Sequence, residues 1–283
     1  MAEEYGSLSI KLHDQVSTIT IANSANKPIE SANLHWELAR ALSDIRTDNG
    51  VRIVVITGEG DQFLGVRPPD SYRSEVGRKT RTQPQYLWET FTGTAMMHEQ
   101  MAQMEKPIIA RVNGDAFGFG STLVFACDLI VAREDARFAD THMAMGEFAN
   151  LGHADFGTVP GDGGTALMPL FMTPALAKEY LMLSRPFTAT ELVRLGIINY
   201  SVPADRLDST VDDLVVRLLK RSAYALAWTK RAANRMVAEQ LTKALDAGLG
   251  YEMVTFLQWE QMGWRDTKSL GGKPTEGKLE PGG

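Results

Sequence analysis

The sequence predicts an α/β fold that ends in a purely helical third. Three observations carry that prediction. Residues 106–132, KPIIARVNGDAFGFGSTLVFACDLIVA, read as a strand, a glycine-studded turn, a helix start and a second strand. Strand–strand–helix units recur loosely through the first two-thirds of the chain. From about Asp208 onward the apolar residues keep only helical spacing. The expected organisation is a core over 1–207, a helical C-terminal subdomain over 208–265, and a Gly/Lys/Pro-rich tail over 266–283 of disordered composition.

Each element has its own signal. Residues 8–12 and 16–22 alternate as a β-hairpin does. Ser31 can cap a helix that sets Leu34, Leu38, Leu42 and Ile45 on one face. VRIVVIT, 51–57, is a buried strand stopped by Gly58-Glu59-Gly60, and FLGVRPPD, 63–70, is a Gly/Pro loop. Residues 86–104 form a long helix in which Met96, Met97, Met101 and Met104 belong to the core or a subunit contact. A short strand, 136–139, precedes a long glycine-punctuated loop over 140–164, and loops of that length are commonly functional. Beyond it come a helix piece at 165–171, a helix opened by Thr173-Pro174, and another opened by a Thr188/Glu191 capping box and closed at Gly196. The helical third divides into 212–220, 223–239 and 241–264.

Composition narrows the function classes. The net charge is −6 with no run of Lys or Arg, which disfavours nucleic acid and anionic membrane as partners. The single cysteine, Cys127, lies in an apolar run and reads as a buried structural thiol. The first ten residues have neither a basic stretch nor an apolar one, and no segment approaches transmembrane length. A cytoplasmic enzyme or binding protein fits. No Cys/His/Asp spacing points to a metal, and GxGxxG after a strand is missing, so neither a metal nor a nucleotide cofactor is expected.

The glycine turn is the candidate site. Gly118 and Gly120 bracket the start of an apolar helix, whose first-turn N–H groups are free and backed by the helix dipole. An oxygen that becomes anionic suits that position. A tight turn packing a helix on a sheet uses the same residues, and spacing alone leaves both readings open.

Four segments together, KPIIARVNGDAFGFGS, CDLIVAREDARFAD, GTVPGDGGT and LVRLGIINYSVP, resemble the crotonase (enoyl-CoA hydratase/isomerase) superfamily over about residues 8–233. The resemblance implies a spiral of ββα units, a helical C-terminal trimerisation region, and a homotrimer or dimer of trimers. It also implies an oxyanion hole of two backbone N–H groups that holds an enolate. One donor would be Phe119; the other would be Val66 or Arg67.

The departures from the family pattern decide the expected reaction. Where enoyl-CoA hydratases carry their first catalytic glutamate, this chain has Thr122. The second falls on His153 when counted back from GTVPGDGG, and on His142 when counted forward from FAD. The ungapped match from His153 to Gly164 favours His153. The FLGVRPPD loop and the early segment IANSANKPIESANL also depart from the CoA-binding pattern. A histidine followed by VPGDG, with a late GLGYE, is similar to the β-diketone hydrolase branch. That similarity implies retro-Claisen cleavage of a carbon–carbon bond by His153, Asp162 and Glu252, with a further site histidine at His35 and Trp36 near the pocket. The alternatives are an acyl-CoA hydratase or isomerase and a non-catalytic binding homologue.

Each residue also has a plainer role. His153 can be a solvated loop side chain, Asp162 a helix N-cap, Glu252 an exposed helix glutamate and His35 a half-buried helix residue. His13 and His98 read as surface positions. The expected ligand is a small β-diketone or an acyl-CoA thioester.

Overall fold

The computed structural model describes residues 5–22, 34–64, 82–144, 148 and 157–262, with 259–262 described through the backbone alone. Strands β1 (Leu8–His13) and β2 (Val16–Ile21) form the predicted hairpin, paired antiparallel from Leu8 with Ile21 to His13 with Val16. Its two turn residues, Asp14 and Gln15, both have positive φ, which matches the twist of a two-residue hairpin loop. Helix α1 (Leu34–Thr47) buries Leu34, Leu38, Leu42 and Ile45, the predicted stripe. Ser31, its expected cap, lies outside the described residues.

Next come the fully buried strand β3 (Ile53–Gly58), the long helix α2 (Pro84–Gln103) and strand β4 (Ile108–Val112). The opening segment of the sequence reading then gives the short strand β5 (Ala116–Phe117), helix α3 (Phe119–Phe125), β6 (Leu129–Arg133) and β7 (Arg137–Ala139). Helices α4 (Gly164–Phe171) and α5 (Pro174–Leu183) follow; Thr173 caps α5 by accepting from the Leu176 N–H. Strand β8 (Phe187–Thr188) leads into α6 (Ala189–Arg194), which opens with the complete Thr188/Glu191 capping box. Strand β9 (Tyr200–Val202) precedes the helical third: α7 (Leu207–Leu219), α8 (Ala223–Ala233) and α9 (Arg235–Met262).

The larger sheet runs β1-β2-β3-β4-β6-β9 and is parallel from β2 onward. A small sheet, β5-β7-β8, joins the segments that lead into the site. Parallel strands covered on both faces read as continuous apolar runs, and β3 and β4 do. Helix α7 covers one face through Leu207, Val211 and Leu214, against Ile53, Val55, Ile109 and Val131. The main core lies on the other face and includes Leu241, Leu245 and Leu249 of α9, so the last helix is built into the same core as the strands.

Two differences from the sequence reading have physical causes. The break between the last two helices falls at Asn234, ahead of the expected Leu241. The Asn234 amide donates to the Ala102 carbonyl and to Asp128, giving it partners that an uninterrupted helix would not. Strands β5, β8 and β9 hold two or three residues each, too short to show alternation.

Candidate active site

The backbone brings two chain segments together before any side chain acts. The Gly118 N–H donates to the Ala139 carbonyl (2.9 Å), so the glycine turn that starts α3 is tied to the end of β7. Gly118 has φ 53°, and the next residue, Phe119, opens the helix. Three residues past Ala139, His142 sits in a turn whose carbonyl accepts from the Thr158 N–H at 2.7 Å. The Gly157 N–H donates to the Ala144 carbonyl at 3.1 Å. These two bonds close the base of the long loop and fix His142 beside the glycine turn.

Four titratable side chains meet there. The His142 Nδ1 lies 2.7 Å from Asp140 Oδ1, and its Nε2 lies 3.3 Å from Asp162 Oδ2 and 3.6 Å from Glu252 Oε1. Asp140, Asp162 and Glu252 are buried, and the His142 side chain keeps 13% of its surface exposed, an edge open to a small reactant. The Thr122 hydroxyl donates to Asp162 Oδ1 at 3.0 Å. Thr122 therefore supplies no acid or base of its own and instead holds the carboxylate that faces His142. Glu252 reaches the site because it continues the stripe Leu241, Leu245, Leu249 down the buried face of α9.

Asp162 does not cap α4. The cap is Gly163, which uses no side-chain bond, and the Asp162 carboxylate points at His142 and Thr122. Its backbone carbonyl accepts from the His98 Nε2–H at 2.7 Å. Gly163 has φ 129°, and a Cβ there would press into the His98 ring and the Thr122 methyl. Only glycine lets the chain pass between these side chains.

The electrostatics of the cluster follow from burial and charge. Burial opposes the charged form of His142, but the Asp162 and Asp140 carboxylates outweigh it and hold the imidazole well above its usual range. Burial likewise pushes against ionised Asp162; the charge and hydrogen bond of His142, with the field of His35, hold its pKa down. Burial raises Glu252 to about 8, because the attraction of His142 does not cancel desolvation and the repulsion of Asp162 and Asp140. At neutral pH the cluster is an imidazolium between carboxylates with a protonated Glu252 alongside.

That arrangement makes stability depend on pH. Between its ordinary value of 4.5 and about 8, native Glu252 keeps a proton that the unfolded chain releases. The native state binds more protons, so stability falls as pH rises through that window, at up to about 1.4 kcal/mol per pH unit for one proton. His142, also raised, adds stability below 6.5 that is lost as pH climbs through its folded value. Asp162, lowered, adds stability above 3.8 that is lost in acid. Chemical denaturation from pH 5 to 9 is expected to show a declining stability that Glu252→Gln partly flattens. An unchanged slope in Glu252→Gln would place the effect elsewhere.

The other expected residues fall as follows. Phe119 opens α3, and its N–H is one of the first-turn amides that a helix leaves without an internal partner. The His35 ring packs on the Phe119 ring with centroids 4.0 Å apart. Trp36 follows it on α1, half-buried. His153, Val66 and Arg67 lie outside the described residues. Among the described residues, the histidine that meets both Asp162 and Glu252 is His142, the forward-counted alternative.

His13 is exposed, as expected, but His98 is buried and not the surface residue its polarity suggests. It shares the inner face of α2 with Thr94, Met97 and Met101, a helical spacing visible in the sequence. Burial lowers its pKa despite the nearby Asp162, so it is a neutral buried ring. Asp140 was missed altogether. Its signal was a carboxylate at the mouth of an apolar strand, two residues before a histidine. Among the described residues, no group of three or more His, Cys, Asp or Glu is arranged to hold a metal ion. Nor is any described helix long and apolar enough to cross a membrane.

The chain has known relatives. A sequence profile for enoyl-CoA hydratase/isomerase matches residues 11–263. A carnitinyl-CoA dehydratase from Citrobacter koseri is 28% identical over 255 residues, 86% of this chain and 87% of the relative. The crystal structure of an enoyl-CoA hydratase/isomerase from Mycobacterium paratuberculosis superposes with a TM-score of 0.75 at 26% identity, covering 89% of this chain and 94% of that one. A β-diketone hydrolase from the cyanobacterium Anabaena, bound to (S)-3-oxocyclohexyl acetic acid, superposes with a TM-score of 0.76 over 90% of this chain and 96% of its own. At 22% identity that last match speaks for a shared fold.

Proposed function

The chain belongs to the enoyl-CoA hydratase/isomerase family, and from that premise we propose that it hydrolyses a carbon–carbon bond in a β-diketone. The observation that carries the reading is His142 Nε2 facing Asp162 and Glu252, with Thr122 where a hydratase would have its first glutamate. Addition of water to an alkene in this family's usual way needs two carboxylates on one water. Here a single imidazole has carboxyl groups around it, which is the arrangement of a general acid–base group.

The steps balance without a cofactor. His142, in its neutral form, takes a proton from water as the oxygen attacks one carbonyl. The carbon–carbon bond breaks, and the electron pair leaves as an enolate whose oxygen is held by the Phe119 N–H; the second donor is the one the family resemblance assigns to Val66 or Arg67, outside the described residues. A proton from the His142–Glu252 pair goes to carbon, giving a ketone and a carboxylic acid. Asp162 stabilises the imidazolium that forms in the first step. His35, packed at a tilt against the Phe119 ring, sets the wall of the enolate pocket, with Trp36 beside it.

A second reading is a hydro-lyase acting on an acyl-CoA thioester, and the carnitinyl-CoA dehydratase relative favours it. In that case His142 or protonated Glu252 gives the proton to a departing hydroxyl group. The two readings separate in one assay. Incubation with a cyclic β-diketone is expected to bleach the enol absorbance, with crotonyl-CoA left unchanged. Turnover of the thioester alone overturns the first reading, and inactivity towards both favours a binding homologue. We further propose a cytoplasmic homotrimer or dimer of trimers. Tyr224 and Trp228 of α8 and Met236, Tyr251 and Val254 of α9 are exposed apolar side chains that support self-association, and sedimentation velocity reads the state directly.

A further inference from the structure

We propose that Asp140 is a positioning residue: it accepts the Nδ1–H of His142 and leaves Nε2 as the one ring nitrogen that exchanges a proton in the site. The inference rests on His142 being the acid–base group of the proposed reaction.

The geometry is specific. Asp140 Oδ1 lies 2.7 Å from His142 Nδ1 and also accepts the His142 backbone N–H at 3.2 Å. An ionised carboxylate is an acceptor only, so Nδ1 must be the donor. The carboxylate itself has no freedom to turn. Asp140 has 1% of its surface exposed, and its other oxygen packs against Gly164, where a Cβ would collide with it. Its backbone follows Ala139, which is paired with Phe117 and bonded to Gly118. Asp140 is thus anchored to the same strand end as the enolate-binding turn, and it passes that anchorage on to the imidazole ring. Among the described residues, the groups that face His142 are Asp140 from the end of β7, Asp162 from the turn before α4, and Glu252 from α9. Asp140 also lies near the Tyr180 hydroxyl of α5, which is held neutral by burial.

The consequence is directional. With Nδ1 committed to Asp140, the water and the reacting carbon must approach on the Nε2 side, between Asp162 and Glu252. A ring free to flip would offer either nitrogen, and in half of its orientations would hold no proton where the reaction needs one. Second partners of this kind fix both the tautomer and the orientation of a functional histidine.

The test uses the full chain labelled with ¹⁵N-histidine, which contains five histidines, with the His142 signals identified by their loss in His142→Gln. In the wild type, above the His142 midpoint, the expected spectrum shows Nδ1 protonated and Nε2 bare. In Asp140→Asn the His142 midpoint is expected to fall by about 1 unit or more, since an opposite charge in contact has been removed. The rising limb of kcat against pH should move with it while KM stays in place. A wild-type spectrum with Nε2 protonated and Nδ1 bare overturns the proposal, as does an unmoved midpoint in folded Asp140→Asn. If that variant does not fold, the wild-type tautomer alone decides. The spectra need no substrate, so failure of the diketone assay retires the hydrolase reading and leaves this result intact.

Discussion

Replacing His142 by glutamine is expected to lower kcat for the proposed diketone hydrolysis by about 10²–10⁴-fold, the range in which a positioned acid–base group contributes. Glutamine keeps polar atoms within reach of Asp140, Asp162 and Glu252 but cannot titrate, so the loss isolates proton transfer from packing. KM is expected to change little, because the proposed reaction has the substrate held at the Phe119 turn and not by His142. The pH profile sharpens the test. His142 is held as imidazolium, so wild-type kcat rises with pH as the base form appears. In His142→Gln that rising limb disappears and only a low, flat rate remains. Steady-state kinetics from pH 5.5 to 9.5, beside a thermal melt to show that the variant is folded, measure both. A folded His142→Gln enzyme with wild-type kcat would remove His142 from the reaction and return attention to His153.

Much of this site was legible in the sequence, and the parts that were not share a cause. The Gly118–Phe119 turn, Asp162 and Glu252 could be singled out because each sits on or beside a regular element with a readable period or turn. The position of the histidine was ambiguous because an insertion separates the strand from the glycine-rich turn. Counting residues fails across such a loop. Its ends are joined by backbone bonds from Thr158 to His142 and from Gly157 to Ala144, and the closed base takes any length between them. Counting forward from the strand stays on the anchored side of that loop, which is why it reaches His142. Counting back from Gly157 crosses into the insertion. Asp140 went unread because its importance is a contact and not a spacing. His98 had a signal, the Thr94–Met97–Met101 stripe, that outweighs the polarity of the residue. The fold was the clearer part, since the hairpin, the α1 stripe, the Thr173 cap and the Thr188 capping box are local and each has a mechanism.

Asp162→Ala is expected to cost about 3–5 kcal/mol of stability, the range for removing one partner of a buried ion pair. The loss has two parts that can be separated. The Thr122 hydroxyl loses its acceptor, which Thr122→Val would report alone at about 1 kcal/mol. The His98–carbonyl contact is to the main chain and survives the substitution. The largest part is the imidazolium of His142, which keeps Asp140 but loses the carboxylate on its other nitrogen. Among the described residues, that nitrogen would then face Glu252 alone, which is itself protonated near neutrality. A double-mutant cycle identifies this part. If the stranded charge is the cause, Asp162→Ala costs far less in a His142→Gln background, and the two substitutions are strongly non-additive. Asp162→Asn should fall between, because it keeps an acceptor for Thr122 and gives up only the charge. The acid limb of stability provides an independent reading, since a lowered Asp162 stabilises the native state above its unfolded value and ceases to do so as pH falls through the folded one. Additive costs in the two backgrounds would mean that Asp162 stabilises its turn through packing alone, and the charge pairing at the centre of the site would lose its energetic basis.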